Sequence, residues 1–249
     1  MTTQSAAALA VKRGIDLMGA AALLVVLSPV LAWTALAALV TQGSPILFRQ
    51  ERPGFHGKPF TLFKFRTMRA PRRGEVSYLA DNQRLTRLGR FLRSTSIDEL
   101  PELVSVLRGD MSLVGPRPLL AEYLDQYTPE EQRRHDMRPG ISGWAAVNGR
   151  HALRFDERFK LDVWYVDHWS LLLDFKIMAR TVMQVLRRQD VSPEACTADE
   201  LMKLGVPLPG VRAVRLEGTD ADEGANTATA GGAAGASGSG EGESGADAS

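Results

Sequence analysis

Leu17-Met-Gly-Ala-Ala-Ala-Leu-Leu-Val-Val-Leu-Ser-Pro-Val-Leu-Ala-Trp-Thr-Ala-Leu-Ala-Ala-Leu-Val40 is too long and too apolar for an ordinary core helix, its only polar side chains being Ser28 and Thr34. About 20 apolar residues suffice to span a bilayer, so hydropathy alone reads the segment as a transmembrane helix. Ser28-Pro29 interrupts it at its middle, however, and proline removes a helix hydrogen bond. Each half is then about eleven residues, or roughly 16 Å of helix, short of the roughly 30 Å hydrocarbon core. The flanks add a second argument. Lys12 and Arg13 precede the segment, while Arg49, Arg52, Lys58, Lys64, Arg66, Arg69, Arg72 and Arg73 follow it against Glu51 alone. Both ends therefore prefer the cytoplasmic side. A re-entrant hairpin over 11–42, broken at Ser28 and Pro29, satisfies both ends; a spanning helix does not.

Downstream, Ile46 to Phe65 carries two apolar-aromatic runs around Arg52-Pro-Gly-Phe-His-Gly57, which predicts a β-hairpin close to the membrane surface. Lys64 and Arg66 lie two apart and so share a face of its second strand. Ala70 to Asp81 reads as a polar loop. Arg84, Arg87, Arg90 and Arg93 then recur every third residue beside Leu85, Leu88, Phe91 and Leu92, a basic amphipathic helix suited to lipid headgroups. Nothing in the chain supports base reading, so no nucleic-acid partner is expected.

Arg93 to Pro118 carries the chemistry. Asp98 and Glu99 are adjacent carboxylates between Arg93 and the rigid turn Gly115-Pro-Arg-Pro118. A carboxylate can attack phosphorus, and arginines can hold the transferring oxygens. The same residues also admit a purely structural reading. Ser96 and Glu99 have capping-box spacing, or Asp98 itself is the cap, with Pro101 in the first turn and Gly109 ending the helix. Farther on, Glu122 to Met137 reads as a charged helix. Arg138-Pro-Gly and Ile141-Ser-Gly-Trp144 read as a loop able to offer amides to phosphate, with Trp144 either stacked on a base or filling a core. Phe155 to Trp169 and Leu171 to Leu186 read as amphipathic helices whose aromatic and basic residues suit either a membrane interface or the globular core.

Taken together, Lys12-Arg13-Gly-Ile-Asp16, Lys64-Phe-Arg-Thr-Met68, Asp98-Glu-Leu-Pro101, Gly109-Asp-Met-Ser-Leu-Val-Gly-Pro-Arg-Pro118, Arg138-Pro-Gly-Ile-Ser-Gly-Trp144 and Val147-Asn-Gly-Arg150 occur in that order. The set resembles the bacterial sugar transferase family, the small monotopic phosphoglycosyl transferases, over roughly Val11 to Pro193. The resemblance implies transfer of a sugar 1-phosphate from a UDP-sugar to undecaprenyl phosphate with release of UMP. It implies Asp98 as nucleophile, forming an aspartyl-phosphosugar intermediate, and Glu99 as its catalytic partner. It also implies phosphate binding by Lys64, Arg93, Arg117 with Pro118, and Arg150, and Mg²⁺ held partly by Asp98. The site would face the cytoplasm at the bacterial inner membrane, in contact with its lipid, and downstream glycosyltransferases would consume the product in glycan or exopolysaccharide assembly. A homo-oligomer is compatible with it. Glu102 and Ala146 stand where the family commonly has glutamine. The rival classes are an inactive membrane-anchored scaffold and an aspartyl-phosphate hydrolase.

The expected fold is α+β, mainly α: a re-entrant membrane helix hairpin, a small β-hairpin and amphipathic interfacial helices around a cytoplasmic catalytic core. The expected boundaries are an N-terminal arm over 1–10, the hairpin over 11–42, the core with its interfacial helices over 43–193, a C-terminal extension over 194–216 and a disordered acidic tail over 217–249. That tail holds seven acids and no Lys or Arg, so the net charge of +1 conceals about +8 on the rest, which suits phosphates or an anionic surface. It has no aromatic residue and cannot build a core. The single cysteine, Cys196, cannot form an intrachain disulfide, which fits a reducing compartment.

Overall fold

The computed structural model describes residues 5–70, 84–149 and 155–187, so Arg150, Cys196, the 71–83 loop segment and the tail lie outside the described residues. The apolar segment forms two helices, α1 (Ala6–Val26) and α2 (Ser28–Gln42), which meet at Leu27 with a bend of 61°. Ser28 Oγ donates to Val25 O at 2.8 Å, and Pro29 falls in the first turn of α2, where no helical donor is lost. The break thus comes one residue before Ser28-Pro29, and the proline opens the second helix. Among the described residues no single helix is long and apolar enough to cross a membrane; only the bent pair together has the length and composition. Its apolar side chains point outward: Val26 is 71% exposed, Trp33 72% and Val40 77%.

The foot of α1 is used differently from a charged flank. Lys12, Asp16 and Ala20, one residue per turn, form a buried stripe against the globular part. Lys12 Nζ donates to Asp174 Oδ2 at 2.7 Å and to Val114 O at 3.0 Å, and Tyr165 and Trp169 donate to the same carboxylate. Asp16 accepts from Ser112 Oγ at 2.7 Å and from the Leu113 amide at 3.1 Å. Removing one partner of a buried pair strands the other charge. Lys12→Met is therefore expected to cost about 3 kcal/mol, read as a lower unfolding midpoint in detergent. Arg13→Met, which loses only 3.4 Å contacts to two carbonyls, should change little.

β1 (Leu47–Pro53) and β2 (Pro59–Phe65) pair antiparallel, with Phe48 opposite Lys64, Gln50 opposite Leu62 and Arg52 opposite Phe60. Those six residues share one face of the ribbon. Phe60 and Leu62 enter a core with Ala20, Leu103, Val106 and Met111. The basic helix α3 (Arg87–Ser94) is capped by Thr86, whose Oγ1 accepts from the Gly89 amide at 2.9 Å. α4 (Glu102–Arg108) ends at Gly109 in the left-handed conformation, as its sequence predicts.

A second, parallel ribbon was not legible in the sequence: β3 (Ser112–Val114) pairs with β4 (Gly140–Ser142). The two segments approach so closely that a methyl group on Gly140 would run into the Gly115 amide nitrogen. The expected charged helix over 122–137 is replaced by a 3₁₀ turn (Ala121–Gln126), the short helix α5 (Pro129–Gln132) and a further 3₁₀ turn (Arg133–Asp136). Pro129 disfavours helix at Thr128, which instead makes a capping box with Glu131. α6 (Trp144–Val147), α7 (Phe155–His168) and α8 (Leu171–Arg187) complete the described residues. Val114, Met137, Val147, Tyr165, Val166 and Ile177 form the second core. α8 turns Ile177 inward and leaves Leu172, Phe175, Val182, Met183 and Leu186 exposed, an uncovered apolar face.

Candidate active site

The structure places Asp98 on a 3₁₀ turn, Ile97–Glu99, between α3 and α4. The capping readings of this stretch are not realised. Ser96 adopts a left-handed backbone (φ 55°) without a side-chain cap, and α4 starts from Pro101. Freed from capping, both carboxylates serve the space between α3, the first ribbon and the Gly115–Pro118 turn.

Asp98 is 8% exposed, and its carboxylate accepts no hydrogen bond from the described residues. Burial raises its pKa and Glu99 adds to that, while Lys64, Arg93 and Arg117 pull it back. Glu99 is the opposite case. Its Oε1 accepts from Lys64 Nζ at 2.9 Å and from the Arg117 guanidinium. Burial alone would raise its pKa, but Arg117 and then Lys64 outweigh it and hold the carboxyl well below the usual range. Arg117 is in turn held protonated, chiefly by the charge of Glu99. Two neighbouring carboxylates thus have opposed environments, one without a hydrogen bond from the described residues and one bound by two cations.

Arg93 and Arg117 are placed by contacts around the site. Arg93 Nε donates to Thr67 Oγ1 at 3.2 Å, and α3 is pinned to the same residue because the Thr86 amide and hydroxyl both donate to Thr67 O. Gly89 lies against that carbonyl, where any Cβ would collide. Around Arg117, the Gly115 amide donates to Ser142 O at 2.9 Å and the Gly140 amide to Pro116 O at 3.0 Å. Arg134 donates to Arg117 O at 2.7 Å and to Asp162 at 2.6 Å, with its guanidinium against the edge-to-face pair of Tyr127 and Phe159. Half-buried Pro118 closes the turn.

Lys64, Arg93, Asp98, Glu99 and Arg117 are thereby brought together, while Arg150 lies outside the described residues. Two expectations change. The 138–144 segment is a sheet partner of the turn, with the Gly140 amide already donated to Pro116 rather than presented to phosphate. Arg66, on the Lys64 face by sequence, donates to Gln42 O and to Gly43 O, closing the end of α2. Trp144 stacks on Trp164, with ring centroids 5.2 Å apart, against the second core, in keeping with its core reading.

Sequence reasoning missed Glu102 as a site residue. It is 3% exposed, one turn along from Asp98, and its Oε1 lies 3.0 Å from Lys64 Nζ without a hydrogen bond. Burial pushes its carboxyl up to about 7, with Lys64 offsetting part of that and Glu99 adding to it. A carboxyl raised from 4.5 to about 7 binds more protons folded than unfolded between those values, so stability falls as pH rises through them. Glu102→Gln removes that loss. It is expected to raise the unfolding midpoint at pH 8, by an amount corresponding to about 2–3 kcal/mol, and to change it little at pH 4.5. Thermal unfolding at the two pH values checks this. A signal was present in the sequence, since residues 98 and 102 fall four apart across a helix start.

Arg52 was read only as a flanking charge. It shares the ribbon face with Lys64, and among the described residues its guanidinium makes one hydrogen bond, to Gln50 Oε1 at 2.6 Å. Its parity with Lys64 across a Pro-Gly turn was the available signal.

Residues 7–188 match the family described as bacterial sugar transferase. The chain is 53% identical over 175 residues to an uncharacterized sugar transferase of Bacillus subtilis, EpsL, covering 70% of this chain and 87% of that one. It is 43% identical over 185 residues to a UDP-glucose:undecaprenyl-phosphate glucose-1-phosphate transferase of Caulobacter vibrioides, covering 70% and 69%. To an Escherichia coli protein of the same name it is 39% identical over 183 residues, covering 70% of this chain but only 39% of the relative.

Proposed function

Because the chain belongs to the bacterial sugar transferase family, we propose that it transfers a sugar 1-phosphate from a UDP-sugar to undecaprenyl phosphate, releasing UMP. The observation that carries this reading is a buried Asp98 that accepts no hydrogen bond from the described residues, beside a Glu99 held ionised by Lys64 and Arg117. In the first displacement a carboxylate oxygen of Asp98 attacks the β-phosphorus. The bond from that phosphorus to the oxygen bridging it to the α-phosphate breaks, and UMP departs with the electron pair. In the second, an oxygen of undecaprenyl phosphate attacks the same phosphorus and the acyl-phosphate P–O bond breaks, restoring Asp98. Glu99, held ionised, keeps Lys64 and Arg117 in place to orient the acceptor phosphate.

Bringing a carboxylate to a diphosphate is unfavourable without cations. Lys64, Arg93 and Arg117 supply them at the site, and Arg150 is assigned the same role by its motif. Among the described residues no cluster of three or more acidic or histidine groups exists for a metal. Asp98 would hold Mg²⁺ in part, since Mg²⁺ commonly takes one or two carboxylates and completes its shell with water and substrate phosphates. When bound it would offset charge on the diphosphate.

The bent pair α1–α2 is assigned as a re-entrant hairpin in the inner leaflet, and the apolar face of α8 as an interfacial surface, with the site on the cytoplasmic side. Ser5→Cys in a Cys196→Ser background should be labelled only after the cytoplasmic face is opened; labelling from the periplasm would establish a spanning helix instead. The activity is tested by UMP release from a panel of UDP-sugars with Mg²⁺, with and without undecaprenyl phosphate. Lipid-dependent release with one sugar is the expected result. Release that continues with water as sole acceptor would indicate a hydrolase, and none across the panel would favour a scaffold.

A further inference from the structure

The segment that carries Arg117 is held at both ends by buried cations. At its start, Lys12 Nζ donates to Val114 O at 3.0 Å, joined there by Ser112 Oγ at 2.9 Å and Tyr165 Oη at 3.2 Å. At its end, Arg134 donates to Arg117 O at 2.7 Å. Between them the chain is tied by backbone, from the Gly115 amide to Ser142 O and from the Gly140 amide to Pro116 O. Each cation belongs to a buried ion pair whose carboxylate lies on one of the last two helices. Lys12 pairs with Asp174 on α8 at 2.7 Å, and Arg134 with Asp162 on α7 at 2.6 Å. Holding the fold accounts for the Lys12 pair, which also fastens α1. It accounts less well for the other, because desolvation offsets most of the attraction within a buried pair. Arg134 is 2% exposed and Asp162 3%. What such a pair supplies beyond an apolar contact is direction. The Arg134 nitrogen that binds Asp162 also binds Arg117 O, and its second terminal nitrogen donates to Tyr127 Oη at 3.0 Å, so three acceptors fix the plane of the guanidinium.

Arg117 depends on that direction. Its side chain is 50% exposed and leaves the turn to reach Glu99. A long, half-exposed side chain is placed only as well as the backbone it grows from, and a misplacement of about 1 Å in a catalytic constellation can cost roughly 100-fold in rate. We propose that Arg134, held by Asp162, is a positioning residue for Arg117. The pair fixes the carbonyl of Arg117 itself and thereby sets where its guanidinium meets Glu99 and the transferring phosphate. The proposal rests on the sugar-phosphate transfer given above, in which Arg117 binds phosphoryl oxygens. It gives α7 a part in the reaction from outside the cleft.

A double-mutant cycle on UMP release by the full chain in nanodiscs, with Mg²⁺, UDP-sugar and undecaprenyl phosphate, tests this. Competent sites are first counted from the total UMP released without lipid, so that rates per site are compared and misfolded protein drops out. Arg134→Lys keeps a charge opposite Asp162 but loses the planar fork, and should lower the rate per site by about tenfold to a hundredfold. In an Arg117→Met background the same change should have little further effect, because residues that act through one another are not additive. Asp162→Asn, which keeps the shape of the side chain, should lower the rate in the same direction by a smaller factor, and it decides the matter where the lysine variant does not fold. Arg133→Met, which breaks the neighbouring pairs with Glu130 and Asp167, should leave the rate as it is. A lowered unfolding midpoint with an unchanged rate per site in both Arg134→Lys and Asp162→Asn makes the pair structural and overturns the proposal. An equal fold-loss with and without Arg117 overturns it too, since the effect then runs through another group. A wild type that releases no UMP from any UDP-sugar overturns the transfer reading, and the proposal falls with it.

Discussion

Asp98→Asn is expected to lower lipid-dependent UMP release by roughly 10⁴-fold or more, since it removes the attacking atom rather than a contact. The fold should survive the change. The carboxylate accepts no hydrogen bond from the described residues, and burial already favours its neutral form, so an amide of the same shape costs nothing there. Membrane association and the unfolding midpoint should match or slightly exceed wild type. A variant that kept near-native turnover would show that the nucleophile lies elsewhere, with Glu99 the next residue to examine. Purified wild type given donor without lipid should release about one equivalent of UMP and stop, and Asp98→Asn should release none.

Glu99→Gln is expected to behave differently in both respects. It leaves Lys64 and Arg117 facing each other without the charge that both bind, so stability should fall by about 1–3 kcal/mol. Turnover should drop by roughly 10²–10³-fold through loss of the charge that aligns Lys64 and Arg117 for the acceptor phosphate. Asp98 remains, so the single-equivalent release without lipid should persist even as steady-state turnover fails. Loss of that first release together with turnover would instead give Glu99 a part in the first displacement. Glu102 modulates this result, because it stays 3.0 Å from Lys64 and can take up part of the unpaired charge. Glu99→Gln with Glu102→Gln should therefore be less stable than the two separate changes suggest.

The legible parts of the fold were those with strong local signals. The proline break, the Pro-Gly hairpin, the Gly109 stop and the two amphipathic helices at the end of the chain all appear near their expected positions. The β3–β4 ribbon was hidden because each strand is three residues long and the partners are far apart in sequence, with parallel pairing that no turn announces. The stretch over 122–137 misled for a related reason. Its charges fit a solvated helix, yet Arg134 is 2% exposed and paired with Asp162, a contact made across the fold. In the site, Asp98, Glu99, Lys64, Arg93 and Arg117 were found through their motifs. Glu102 was not, because its significance depends on burial beside Lys64 rather than on residue type. Lys12 shows the same limit. As a flank it counts toward topology; folded, it is a bolt through the core.

That bolt has a mechanical consequence. Lys12 and Asp16 fasten the lower turns of α1 to β3 and α8, so helix and globular part cannot shift past each other without breaking buried bonds. For a hairpin that enters one leaflet, the depth to which it sinks and the height of Asp98 above the lipid are then a single length. If the hairpin enters one leaflet as proposed, the upper turns of α1 act as a fixed gauge rod, and the bilayer sets the elevation at which the carboxylate meets a phosphate held in the headgroup plane. Inserting one helical turn between Ala20 and Leu27 would raise that elevation by about 5 Å, while leaving every residue of the site in place.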